Sequence, residues 1–279
     1  VLICLISFIA AQPLNYKDLY HTGSSCEKGR MQSPINLDET TSSFNSTINL
    51  LSDSYIPLNQ VKLKFDERIL YVTHLNDGEN LGYITLSRNG ILKKYALKRI
   101  ELNYPGEHKF GNQQTDLEIK FIHEQIMFFE TDVNQYRKLV DSNNFLIVSI
   151  LYNTGSKISD NGFLTELMAT FNGNGKQTLN IDDYGLTRDR QFFFYEGSFT
   201  YNPCNENANI VVINKPFYIK PDQKALIHDW FKVRYLNANT AKDLAPLYGR
   251  KVYRNYALPH ELSSSYLRFS LFIILLLLF

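Results

Sequence analysis

The sequence lacks a charge imbalance. Its 279 residues carry a net charge of +1 and show no basic stripe, so the electrostatic footprint of a nucleic-acid binder is missing. It has no tandem repeat and no low-complexity segment, which excludes a repeat array. It contains no Gly-x-Ser-x-Gly elbow, the strained turn that presents a hydrolase nucleophile. Cysteines number three, Cys4, Cys26 and Cys204. Neither apolar end reaches the length of a comfortable membrane span: Tyr266–Phe279, extended as a helix at ~1.5 Å per residue, covers about 21 Å of a ~30 Å hydrocarbon core.

Those two ends still carry information. Residues 1–11, an apolar run ending in Ala10-Ala11, read as part of a secretory signal with its cleavage site; the other reading is a buried N-terminal strand. Removal of that leader discards Cys4 and leaves Cys26 and Cys204, an even pair suited to an oxidising compartment or else two buried thiols. Residues 259–279 combine a polar spacer, Ser263-Ser264-Ser265 and the apolar tail, the pattern of a glycolipid-anchor signal, with a short tail anchor as the alternative. Asn45-Ser46-Thr47 is a single N-glycosylation sequon in a Ser/Thr-rich surface stretch. Together these place the chain in the secretory pathway, at the cell surface or outside the cell.

Between the ends, residues 12–258 read as one domain. A content of 44% hydrophobic and 14% aromatic residues, with 18 tyrosines and 19 phenylalanines, favours strands and supports a sizeable core. Strands are predicted at 61–65, 70–74, 83–86, 95–103, 116–123, 144–152, 191–195 and 210–213. The unbroken apolar run at 144–152 predicts a strand covered on both faces. Helices are few. One, following Asp160, repeats Phe163, Leu164, Leu167, Met168 and Phe171; the other opens at Pro221-Asp222 and sets Ala225, Leu226, Trp230 and Phe231 along one side. The predicted fold is mainly β (α+β): a single domain around a large, central, twisted, mixed β-sheet with a few short peripheral helices.

The most informative stretch runs from Tyr95 to Gln125, two extended segments joined by a loop with Pro105, Gly106 and Gly111 as breakers. Alternation sets Glu101 and Asn103 on one face of the first segment, and Glu118, Lys120 and Ile122 on one face of the second. On pattern alone that face is a solvated surface; the competing reading is a floor for chemistry.

Around this stretch stand Gln32-Ser33-Pro34-Ile35-Asn36, then Tyr195-Glu196-Gly197-Ser198-Phe199-Thr200 followed by Pro203-Cys204, and finally Asn237 and Tyr248-Gly249-Arg250-Lys251-Val252-Tyr253. In this order, around the loop Pro105-Gly106-Glu107-His108, they resemble the α-class carbonic anhydrases, over about Leu19 to Tyr253. The resemblance implies a disulfide between Cys26 and Cys204. It implies a gate pair, Glu107 and Thr200, which in active relatives aims a zinc-bound hydroxide. It also implies three zinc-binding histidines, and the positions that match them hold Glu101, Asn103 and Lys120. Zinc is the family's cofactor, yet its ligands are absent, so no metal and no cofactor are expected here.

An ammonium has no lone pair to offer a metal. Lys120 is therefore expected near the former metal position, neutralised by Glu101 and hydrogen-bonded by the Asn103 carbonyl, or else extended into solvent. His108 and His123 read as structural, His123 lying on the face opposite Lys120. The resembled proton-shuttle position falls at Arg68 and Ile69, with His74 several residues away. Tyr201 and Asn202 replace the residues expected after Thr200 and narrow the pocket. The implied function is a carbonic-anhydrase-like extracellular domain without carbon dioxide hydratase activity, a surface binding or structural module whose partner is a surface protein or a glycan. The alternative is an active or weakly active carbonic anhydrase with a rebuilt metal site.

Overall fold

The computed structural model describes residues 25–261 apart from 52–54, 58–60, 67–68, 75–80, 127–142, 156–161, 172–178, 180, 182–189 and 235–240. Residues 1–11, read above as a leader, residues 262–279 of the expected anchor signal, Arg68, Asp160 and Asn237 lie outside the described residues, as do the side chains of Ile69 and His74. No helix among the described residues is long and apolar enough to cross a membrane.

A twelve-stranded sheet organises the molecule. Its spatial order is Ser43–Phe44, Tyr253–Arg254, Phe192–Gly197, Ala208–Ile213, Phe145–Thr154, Leu117–Gln125, Ile91–Asn103, Ile69–His74 and Val61–Asp66. Phe217–Ile219 adds to Phe145–Thr154, and Asn49–Leu51 pairs with Tyr83–Arg88, which folds back on Ile91–Asn103. The sheet is mixed, as predicted: Phe145–Thr154 lies antiparallel to Leu117–Gln125 and parallel to Ala208–Ile213. A small second sheet joins Asn36–Leu37 to the loop hairpin Lys109–Phe110 and Gln113–Gln114.

Central strands bury both faces, and two cores result. One face gathers Ile100, Leu102, Ile119, Phe121, Val148 and Phe194, the other Ile122, Ile147, Phe193, Tyr195, Ile210 and Val212. Residues adjacent in a strand thus serve opposite cores, the consequence of a two-residue period. Each fully buried aromatic contributes about 1.5–3 kcal/mol of burial energy. Helices Gly162–Phe171 and Pro221–Arg234 flank the sheet. The first buries Leu164, Leu167 and Met168, as its spacing predicted. The second agrees in part: Phe231 is buried and Trp230 packs against the core, as expected, whereas Ala225 and Leu226 are exposed and Ile227 is buried instead. Lys224 of this helix reaches Asp116, just before strand Leu117–Gln125, at 2.6 Å.

Cys26 and Cys204 form a disulfide across 178 residues. Closing so long a loop stabilises the fold by about 5 kcal/mol in the chain-entropy account.

His123 follows an irregularity in the pairing between Leu117–Gln125 and Ile91–Asn103. It is wholly buried, 2.8 Å from the Tyr55 hydroxyl and 3.1 Å from the Leu146 carbonyl. Burial pushes its pKa from 6.5 down to about 4. Between those two values the unfolded chain binds a proton that the folded protein refuses, so stability falls as pH falls through that window. At ~1.4 kcal/mol per pKa unit the loss approaches roughly 3 kcal/mol. Urea unfolding at pH 7 and pH 4.5 should show this loss in the natural protein and a shallower slope in His123→Gln; equal slopes refute the assignment.

Candidate functional site

Strand pairing sets the floor of the site. Lys120 lies directly across from Glu101, and Glu118 across from Asn103. All four are inaccessible, with Glu118 at 0% and Lys120 at 3% exposure. The solvated surface favoured by alternation alone is therefore overturned, because the loop after Asn103 and the segment Ser198–Tyr201 fold over this face. Alternation reports which side chains share a face; it carries no information about what covers them.

Lys120 does not take the partners expected of it. Its ammonium donates to the Glu107 carboxylate and, at 2.9 Å, to the Thr200 hydroxyl. Glu101, although opposite in register, is held by Arg99 on its own strand, whose Nε donates at 2.7 Å and whose Nη2 also contacts the same oxygen. Asn103 is diagonal to Lys120, and diagonal neighbours stand about 7–8 Å apart. Its Oδ1 is buried and has no hydrogen-bond partner among the described residues. The alternative of a solvent-extended Lys120 fails for the same reason of burial.

Arg99 was missed at the sequence level. Its guanidinium lies between the Tyr71 and Tyr201 rings, 4.9 and 5.4 Å from their centroids, and donates to the Tyr201 hydroxyl. The signal was present in the alternation of Arg99, Glu101 and Asn103, which places an arginine on the same face two residues before the glutamate. Tyr201, expected to narrow the pocket, closes it through this stack.

Burial alone would depress the Lys120 ammonium. The carboxylates of Glu107, Glu118 and Glu101 outweigh that cost and raise its pKa above the ordinary lysine value. Lys120 is thus a permanent cation at any physiological pH.

Glu118 performs a second task. One oxygen accepts the backbone N–H groups of Glu107 and His108 at 2.8 and 2.9 Å, and the other accepts His108 Nδ1 at 2.7 Å. Burial would raise its pKa, but the charges of His108 and Lys120 together with the His108 hydrogen bonds hold it far below the carboxylate range. From His108 Nε2 the network runs 2.6 Å to the Tyr195 hydroxyl and on, at 2.8 Å, to Ser33 Oγ. Loop, floor and the Ser33 segment are thereby one unit. Gly106 is obligatory here, since a Cβ would run into Thr115 Oγ1. The loop is tied from outside by Lys242, whose backbone N–H donates to the second Glu107 oxygen at 3.1 Å and whose ammonium reaches Gln32 Oε1 at 2.8 Å.

What remains open is a cavity of about 10 Å³ bordered by Glu101, Lys120, Ser198 and Thr200, room for about one water. The residues present do not fit zinc: one of the three matched positions carries an ammonium, the second a carboxylate committed to Arg99, the third a lone amide. Among the described residues no cluster of three or more His, Cys, Asp or Glu is arranged to hold a metal ion. His108 and His123 point to different cores and do not converge.

Comparison with known proteins agrees with this geometry. The sequence profile of the eukaryotic-type carbonic anhydrases matches residues 15–256. Dioscorin dioA3 of Dioscorea japonica is 27% identical over 245 residues, covering 86% of this chain and 81% of that protein. Alpha carbonic anhydrase 2 of Arabidopsis thaliana is 26% identical, covering 73% and 76%. Among solved structures, dioscorin complexed with ascorbate superposes with a TM-score of 0.63 at 26% identity, over 84% of this chain and 90% of that one.

Removing one member of a buried ion pair strands the other, at a cost of about 3–5 kcal/mol. Lys120→Met should lower the unfolding free energy by that amount, whereas Lys120→Met combined with Glu107→Gln should recover more than half of it. Additive losses in this double-mutant cycle would show that the two groups do not support each other.

Proposed function

This chain belongs to the eukaryotic-type carbonic anhydrase family, and we propose that it is a member that does not hydrate carbon dioxide and serves as a binding module at the cell surface. The observation that carries this reading is the Lys120 ammonium, buried and held by Glu107 and Thr200 at a position that matches a metal ligand of the family. Hydration at neutral pH requires a metal-bound hydroxide, made by lowering the pKa of water from 15.7 to about 7. A divalent ion 4 Å from an ammonium is opposed by about 8 kcal/mol at an effective dielectric of 20. The gate pair is also reassigned: Glu107 and Thr200 both serve the ammonium.

The competing enzyme reading, a rebuilt metal site, asks for two changes at once. Lys120 would have to lose a proton that three carboxylates hold in place, and Glu101 would have to leave Arg99. A hydrolase built on Ser198 fares no better, because that hydroxyl donates to the Phe199 carbonyl at 2.7 Å and accepts the Ser33 N–H at 2.9 Å. Secretion, the Asn45 glycan and a glycolipid anchor complete the proposal; the disulfide and the two apolar ends support it. The partner is a surface protein or a glycan.

Zinc content and carbon dioxide hydration, measured on the purified protein and on the combined variant Glu101→His, Asn103→His and Lys120→His, test the reading. The natural protein should hold no stoichiometric zinc and add nothing to the uncatalysed rate, while the variant should acquire the metal. Stoichiometric zinc with rapid turnover in the natural protein would overturn it.

A further inference from the structure

A second cleft lies on the opposite face of the sheet. Asn209 borders it, whereas the next residue, Ile210, borders the cavity beside Lys120, and successive residues of a strand point to opposite faces. The cleft has a volume of about 170 Å³ and is lined by Leu86, Arg88, Asn89, Ile91, Lys93 and Asn209. That is below the ~300–1,000 Å³ typical of sites for drug-sized ligands, and suits a single ring.

Its wall is one face of the hairpin formed by Tyr83–Arg88 and Ile91–Asn103. Leu86 pairs with Lys93 and Arg88 with Ile91, so two cations sit on one diagonal of a four-residue patch and two aliphatic side chains on the other. The polar groups are already positioned. Arg88 is fixed by Glu196 at 2.6 Å and stacks 5.2 Å from the centroid of the Phe194 ring. Asn89, at a positive φ of 52° beside Gly90, accepts the Thr47 hydroxyl at 2.8 Å. Asn209 donates to the Tyr95 hydroxyl at 3.2 Å and accepts from Asn143 at 3.4 Å. The neighbouring Asn143 Oδ1 is buried with no partner among the described residues.

We infer that this cleft is a binding site for a sugar acid, a single pyranose ring bearing a carboxylate. Lys93 and Arg88 meet the carboxylate; Glu196 balances part of the Arg88 charge, but a guanidinium with five donors retains several after its Nη1 serves Glu196. The Asn89 Nδ2 group matches a ring hydroxyl, while Asn209, buried and bonded through both ends of its amide, is a fixed part of the lining. The exposed Ile91, beside the buried Leu86, offers a surface for the C–H face of the ring, which a bare anion would leave unused. Ordering of the lining before the ligand arrives reduces the cost of binding. The inference deepens the binding-module reading by naming a ligand class, yet its test shares no measurement with metal content or hydration, so each can fail alone.

The test is titration of the full protein with glucuronate, glucose, acetate and inorganic phosphate, followed by amide chemical shifts or calorimetry. Glucuronate should bind at least tenfold more tightly than glucose or acetate and shift resonances of Arg88, Asn89 and Asn209. Lys93→Glu should weaken it tenfold or more; Ile91→Asp, at a site 47% exposed, provides a second variant that leaves the core untouched. Binding no tighter than acetate, phosphate preferred over glucuronate, or equal affinity in natural protein and both variants would overturn the assignment.

Discussion

Three carboxylates, Glu101, Glu107 and Glu118, are buried on one face of the sheet, and the structure there is governed by the need to compensate them. A buried ionised carboxylate without partners is intolerable in a folded protein. Each has a different solution: Arg99 for Glu101, Lys120 for Glu107, and two backbone N–H groups with the His108 ring for Glu118. These solutions are geometrically linked, since Lys120 lies across from Glu101 and two residues along its own strand from Glu118, and its charge lowers Glu118 as well as balancing Glu107. Loop closure over the floor depends on the same groups.

The chemistry of the site follows from this balance. A lysine on the floor of a carbonic-anhydrase-like cleft contributes one positive charge and three donors, where a metal ion would contribute two charges and an open coordination position. The charge keeps Glu107 and Thr200 anchored. The open position, on which hydration chemistry relies, has no counterpart. The ammonium thus holds the loop through Glu107 and Thr200, and Arg99 with Tyr201 stacks beside Glu101.

Much of the fold was legible in the sequence because its period-two patterning is strong. The strands at 95–103 and 116–123 lie within Ile91–Asn103 and Leu117–Gln125 to within a few residues, and the run at 144–152 is buried on both sides as its lack of alternation implied. The shared face of Glu101, Asn103, Glu118 and Lys120 was also correct. Their ion pairing was not, because it depends on which oxygen an arginine two residues away captures first and on where a distant loop brings Glu107. Helix Pro221–Arg234 shows the same limit: the predicted face held Trp230 and Phe231 correctly but placed Ala225 and Leu226 inward, where Ile227 is the buried residue.

The two faces of the sheet divide the possible roles of the molecule. On the face of Lys120 the remaining cavity, about 10 Å³, holds about one water; Lys120, Thr200 and Ser198 are committed to neighbours, while Asn103 Oδ1 and the Oγ of Ser149, the residue across from Lys120, are buried without a partner among the described residues. Breaking the Lys120–Glu107 pair to admit a larger molecule would strand a buried charge. On the proposed reading as a binding module, recognition falls to surfaces that these buried ion pairs do not stabilise. The cleft beside Asn209 meets that condition: it opens on the other face, its cations sit on a hairpin rather than in a core, and occupying it breaks none of the contacts that hold the floor of the former site.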